Sequence, residues 1–149
     1  MEKRLYVGFK GNNNASQAVA RALSKEAVLL TNSFGGVKKD IEAIQSDFDC
    51  VVMFGIDKNL KDSVRIESAA EREGTTLFSA LNLQTLKDSF TETGLKAEIS
   101  ETPTHYLCNE AYWYALKKFA GKAVFIHIPT FKYTDDAFIE KIKHSFKNS

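Results

Sequence analysis

Two runs, CVVMFG at 50–55 and AVFIHI at 123–128, are almost continuously apolar. Short unbroken apolar runs fit strands covered on both faces. RLYVGF at 4–9 is rich in β-favouring residues and stops in the turn-forming KGNNN at 10–14. AVLLTN at 27–32 reads as a further buried strand, and LKAEIS at 95–100 alternates as a half-buried one.

Between these runs the apolar spacing becomes helical. In residues 15–26, Ala15, Val19, Ala22 and Leu23 share one face; in residues 36–47, Val37, Ile41 and Ile44 do. Residues 83–93 predict a helix with Gly94 as its C-cap, and residues 107–119 predict another. Residues 134–146 predict a last helix with Thr134 as N-cap. The stretch DSVRIESAAEREG at 62–74 reads two ways: its Ala and Glu content leans to a helix, while Val64 and Ile66 alternate with Arg65 and Glu67 as in a strand. Strands alternating with helices predict an α/β domain with a mostly parallel sheet covered on both faces. There is no internal repeat, low-complexity segment or linker, so residues 1–149 read as a single domain.

Composition narrows the partners. Hydrophobic residues make up 44% of the chain, enough for one core. A net charge of +1 lacks the basic excess usual for nucleic-acid binders, so no nucleic acid is expected. No run approaches the ~20 apolar residues that span a bilayer, and MEKRLYVGFKG at the start lacks the long apolar region of a signal peptide. The expectation is a cytoplasmic protein without membrane attachment. Two cysteines and three histidines, with no CxxC or HxxxH, predict no metal, no cofactor and no disulfide framework.

The chemistry candidates are few. Functional groups of open α/β sheets collect at the carboxyl ends of strands, which directs attention to the loops at 8–14 and 55–62, to Cys108 and to His127. Cys108 opens a predicted helix. A helix N-terminus lowers a thiol pKa and offers N–H groups to an oxyanion, so the position suits covalent catalysis; position alone nevertheless favours ordinary burial of a small apolar side chain. Cys50, inside an apolar run with no polar company, reads as core. His127 interrupts a buried strand and needs hydrogen-bond partners there. It is either a satisfied core histidine or a general base for Cys108. His105 and His144 read as surface residues, and Trp113 as core packing. Glu67 becomes informative only as a group orienting His127, in the manner of a triad.

Three stretches then combine. YLCNEAYW at 106–113 resembles the active-site segment of pyroglutamyl peptidase I, in which Cys-Asn follows an aromatic and an aliphatic residue. FIHIP at 125–129 resembles that family's Phe-Ile-His-Val-Pro strand, and VRIESAA at 64–70 its Ile-Thr-x-Glu-Arg-Val-Ala strand. They follow the family's chain order of Glu, Cys, His. LYVGF at 5–9 and Asn14-Ala15-Ser16 look like its first strand and first helix start, so the likeness covers most of the chain. The resemblance implies a three-layer αβα sandwich with a mixed, twisted sheet, and it implies that Glu67 lies on a strand.

It also implies a cysteine hydrolase: Cys108 attacks an amide carbonyl to give a thioester, His127 serves as base and then acid, and Glu67 orients the imidazole. The family removes an N-terminal pyroglutamyl residue. Phe9, Tyr106 and Leu107 match its lactam pocket, and Asn14 the position of a polar contact. The family's Gly-Phe-x-Pro-Phe-Gly-Gly loop appears here as GFKGNNN at 8–14, without the proline and second phenylalanine. Its Gly-Gln-Ala-Gly-Gly-Arg turn appears as GIDKNL at 55–60, and its long insertion after the glutamate strand is replaced by a direct connection at 71–82. The implied substrate is thus a small peptide or related acyl amide, and the implied assembly a homo-oligomer. The other open reading is a catalytically weak member acting as a ligand-binding or interaction domain.

Overall fold

The computed structural model describes residues 2–147. Its elements run β1 (Arg4–Phe9), α1 (Ala15–Leu23), β2 (Val28–Leu30), α2 (Phe34–Glu42), β3 (Cys50–Ile56), β4 (Ser63–Glu67), β5 (Ala69–Arg72), β6 (Thr75–Phe78), α3 (Leu83–Glu92), β7 (Lys96–Ser100), α4 (Tyr106–Lys118), β8 (Ala123–Ile128) and α5 (Asp136–Lys147). Six strands form one mixed sheet in the order β2-β1-β3-β8-β4-β7. All neighbours are parallel except β4 and β8, which are antiparallel.

Strand parity sorts the core into two layers. Val51 and Met53 of β3, with Ala123 and Phe125 of β8, pack under α2 and α4 against Val37, Ile41, Tyr112 and Ala115. Val52 and Phe54, with Val124, Ile126 and Ile128, face α1, α3 and α5 through Val19, Phe90, Phe138 and Ile142. The architecture is the three-layer αβα sandwich with a mixed, mostly parallel sheet. Gly8 lets α1 approach β1: a β-carbon there would stand 2.4 Å from the Ser16 carbonyl oxygen.

Side-chain caps set most helix starts. Asn14 accepts from the Ser16 N–H, Ser33 from Gly36, and Asn82 from Thr85. For α5 the cap is Asp135, which accepts from the Phe138 N–H at 2.9 Å. Thr134, the expected cap, turns its hydroxyl back to the Pro129 and Thr130 carbonyls instead. Gly94 ends α3 with φ +90°.

The helical lean at 62–74 is overturned. Residues 63–67 are a sheet strand, because Val64 and Ile66 bury one face and a neighbour on each side completes the ladder. Tertiary pairing overrides the local preference of Ala and Glu. The segment after β4 is not a plain connection either. β5 and β6 form an antiparallel hairpin closed by Glu73 and Gly74, whose φ values of 51° and 79° suit a tight two-residue turn.

Candidate functional site

The two-residue period of the strands brings the polar groups together. In β8, Val124, Ile126 and Ile128 point into the α1/α3/α5 layer, so His127 points to the α4 side. In β4, Val64 and Ile66 point the same way as that first set, so Arg65 and Glu67 stand on the α4 side as well. The antiparallel register sets Arg65 opposite His127 and Glu67 opposite Phe125. Helix α4 covers this face and carries Cys108 as its third residue.

Cys108, His127, Glu67 and Arg65 line one cavity of about 760 Å³, together with Tyr106, Leu107, and Asp57 from the loop after β3. The floor is nearly dry: Glu67 is 1% exposed and His127 3%. His105 also lines this cavity, with Lys58 and Asn59. No side chain caps α4, whose N-cap position His105 occupies. Tyr106 takes a left-handed φ of 64°, which costs an L-residue about 1–3 kcal/mol, and the residue is 82% exposed. Leu107 is half-buried and packs on the core beneath.

Arg65 is the hub. Its Nη1 donates to Asp57 Oδ2 at 2.8 Å and its Nε to Glu67 Oε1 at 3.1 Å. Its Nη2 lies 3.3 Å from His127 Nδ1. The direct approach of His127 Nδ1 to Glu67 Oε1 is longer, 3.6 Å, and Glu67 Oε2 is buried without a hydrogen-bond partner among the described residues. Burial opposes charge on Arg65, yet the two carboxylates outweigh it and hold its pKa up. Burial likewise pushes Asp57 up, but the Asn59 N–H and the Arg65 guanidinium overcome this and hold its carboxyl below the ordinary range. For Cys108 nothing comparable compensates. Burial, then the charges of Glu67 and Asp57, push its thiol up to about 12, with only Arg65 pulling down. The low thiol pKa expected at a helix start is therefore corrected: desolvation and two carboxylates dominate.

Space for the thiol comes from Gly55. A β-carbon on Gly55 would stand 3.0 Å from Cys108 Sγ and 2.5 Å from Phe125 Cζ. Gly55 is also the parallel-register partner of His127. Phe125 underlies the imidazole at a ring distance of 5.0 Å.

Two sequence candidates lie elsewhere. Phe9 does not line the cavity; it is buried against Phe125, rings 6.4 Å apart. Asn14 is spent on capping α1, accepting from the Ser16 N–H and hydroxyl. Cys50 is buried at the start of β3, where burial raises its thiol to about 11. His144 is exposed on α5. The residue that sequence reasoning passed over is Arg65, although its alternation with Val64 and Ile66 already placed it on Glu67's side of a strand.

Among the described residues no three His, Cys, Asp or Glu side chains are grouped so as to hold a metal ion. No helix among them is long and apolar enough to cross a membrane.

The family model described as pyroglutamyl peptidase matches residues 3–146. No curated protein sequence matches the chain. Solved structures do. The pyrrolidone carboxyl peptidase of Thermococcus litoralis is 20% identical, aligned over 99% of this chain and 92% of its own, with a TM-score of 0.78. That of Pyrococcus furiosus is 20% identical over 98% and 97%, with a TM-score of 0.76. The pyroglutamyl peptidase I of Bacillus amyloliquefaciens is 19% identical over 99% and 92%, with a TM-score of 0.74. At these identities the structural matches establish the fold.

Proposed function

The chain belongs to the pyroglutamyl peptidase family of cysteine peptidases, and on that premise we propose that it hydrolyses a small N-terminal acyl amide, pyroglutamyl or a close relative, through Cys108, His127 and Glu67. The observation that carries this reading is the shared cavity: three residues from β4, α4 and β8, far apart in sequence, meet there. In this scheme His127 takes the Cys108 proton, and Sγ adds to the substrate carbonyl. Backbone N–H groups at the start of α4 receive the developing oxyanion. Collapse breaks the C–N bond, and His127 returns the proton to the leaving amine. Water, deprotonated by His127, then cleaves the thioester and restores the thiol. Glu67 holds the imidazole in orientation. Tyr106 and Leu107, at the cavity wall, hold the acyl group.

The test is turnover of a chromogenic pyroglutamyl amide beside a panel of other small acyl amides. Expected is hydrolysis of at least one, abolished by Cys108→Ala and by His127→Ala. No turnover on any of them, with Cys108 no more reactive to iodoacetamide than an ordinary free thiol, would overturn the reading.

One observation favours a second reading, a member that binds a ligand with little turnover. Glu67 is engaged by Arg65, at 3.1 Å, rather than by His127, at 3.6 Å. The substrate panel separates the two, since a binder shifts its melting temperature with acyl amides it does not cleave.

A further inference from the structure

A Cys108–His127–Glu67 triad needs the imidazole to carry its proton on Nδ1, facing Glu67, so that Nε2 is free for the thiol. The contacts around His127 do not have that form. The atom at hydrogen-bond distance from Nδ1 is Nη2 of Arg65, at 3.3 Å. A guanidinium is always protonated and only donates. Nδ1 must therefore be the acceptor, and the proton of a neutral imidazole must sit on Nε2. Glu67 is drawn away as well. Its Oε1 accepts from Arg65 Nε at 3.1 Å, inside hydrogen-bond range, while His127 stands outside it at 3.6 Å. The second oxygen of the same carboxylate, Oε2, is buried and accepts from no side chain or backbone N–H among the described residues.

We propose that Arg65 is a positioning residue that holds the site in a resting form: it fixes His127 as the Nε2–H tautomer and occupies Glu67, and the Cys108–His127 pair is activated when Arg65 withdraws from Nδ1. This deepens the hydrolase reading and rests on it. Withdrawal lets Glu67 accept from Nδ1–H. Nε2 then carries a lone pair and can take the proton of Cys108 Sγ, leaving a thiolate beside an imidazolium that Glu67 supports. The protons balance: exchange with water in the cavity moves the imidazole proton from Nε2 to Nδ1 with no net gain or loss, and one proton then passes from sulfur to Nε2. Arg65 has somewhere to go, because its third contact, Asp57 on the loop after β3, lies at the cavity wall and is partly exposed. The motif that places Glu67 has threonine at the position of Arg65 in the family pattern, so this control belongs to the present chain. The charged and titratable groups facing His127 are Arg65 and Glu67 from β4, Asp57 from the loop after β3, and Cys108 from α4, with Lys58 and His105 farther along the same cavity.

The experiment has two arms. Nitrogen NMR of the histidine-labelled wild-type chain at neutral pH reads the tautomer directly, with His105→Gln and His144→Gln assigning the His127 signals. The expected result is Nε2–H. Nδ1–H would overturn the inference, with no variant required to fold. In the second arm, alkylation of Cys108 by iodoacetamide at neutral pH is followed by peptide mass mapping, which separates it from Cys50. Arg65→Met is expected to switch the tautomer and to raise the rate by about tenfold. The gain should vanish in Arg65→Met/Glu67→Gln, where Glu67 can no longer support the imidazolium. Simple loss of a nearby cation predicts the opposite, a slower reaction, and an unchanged or slower rate overturns the inference. The arms also separate the two readings. An Nδ1–H wild type that turns over amides sinks the inference alone. An Nε2–H wild type with faster alkylation in Arg65→Met, but no hydrolysis in any variant, sinks the hydrolase reading alone.

Discussion

Tyr112 donates its hydroxyl to the backbone carbonyl of Glu67 at 2.7 Å, and Tyr112 lies one helical turn after Cys108. The two belong to elements that meet only in the folded chain. The bond ties the helix that carries the thiol to the end of the strand that carries the carboxylate. Tyr112 is fully buried and its ring also packs on Phe125, so the tie is dry and rigid.

Tyr112→Phe keeps the ring and removes only the donor. It leaves the Glu67 carbonyl buried without that partner, a loss of about 1–3 kcal/mol. Denaturant unfolding should show the loss as a lower midpoint with unchanged slope. Because the tie sits beneath the site, the alkylation rate of Cys108 should change as well. An unchanged rate would show that the tie stabilises the fold without positioning the thiol.

Gly55 is predicted to tolerate no side chain. The β-carbon of Gly55→Ala would fall 2.5 Å from Phe125 Cζ and 3.0 Å from Cys108 Sγ. Phe125 cannot yield easily, being hemmed by the rings of Phe9, Tyr112 and His127. Overpacking of this kind costs about 1–3 kcal/mol. The checks are the unfolding free energy and the reactivity of Cys108, and both should change. An alanine at the next residue, as Ile56→Ala, should leave Cys108 far less affected.

Much of this site could be read from residue order, and the reason is parity. AVFIHI declares a buried strand, and within it His127 falls on the face of Phe125 by counting alone. The same counting in Val64-Arg65-Ile66-Glu67 places both charged residues on one face, once the segment is taken as a strand. Composition misled there, since Ala and Glu suit helices and the deciding ladder is made with β7 and β8, which lie far later in the chain. The antiparallel sense of β4 against β8 was equally hidden, and it alone sets Arg65 opposite His127. Phe9 fails as a wall of the cavity for a related reason. Its face was readable, but it packs against Phe125 and is not among the residues that line the cavity. Asn14 is claimed by a local demand, the open N–H groups of α1.

Asn109, next to the thiol, holds the hairpin. Its side chain accepts from the Glu71 N–H at 3.0 Å and donates to the Glu71 carbonyl at 2.7 Å. It therefore pairs with β5 as a neighbouring strand would. Asn109→Ala removes both bonds from a partly exposed position, for about 1 kcal/mol. The expected sign is local: faster hydrogen exchange at Glu71 and faster cleavage by a Glu-specific protease in the turn at Glu73. Cleavage no faster than in the unaltered chain would mean that the β5–β6 ladder and Arg72, paired to Glu110 at 3.4 Å, hold the hairpin unaided.

Stability should fall on the alkaline side, and the thiols set where. Burial, with Glu67 and Asp57, raises Cys108 to about 12, and burial raises Cys50 to about 11. An unfolded cysteine ionises near about 8.5. Both folded values lie above the unfolded one, so between the two the unfolded chain releases protons that the folded chain keeps. The contribution is complete below about pH 8.5 and is lost as pH rises toward the folded values, by up to ~1.4 kcal/mol per pH unit for each thiol. Tyr112, raised by burial, adds the same sign at higher pH. Unfolding free energies measured from about pH 8 to about pH 11 should therefore fall more steeply in the wild-type chain than in Cys50→Ala/Cys108→Ala. Cys108→Ala alone should remove part of the slope. Equal slopes in all three chains would mean that Cys108 ionises in the folded state near the ordinary thiol value, and would contradict the raised pKa derived from its burial beside Glu67 and Asp57.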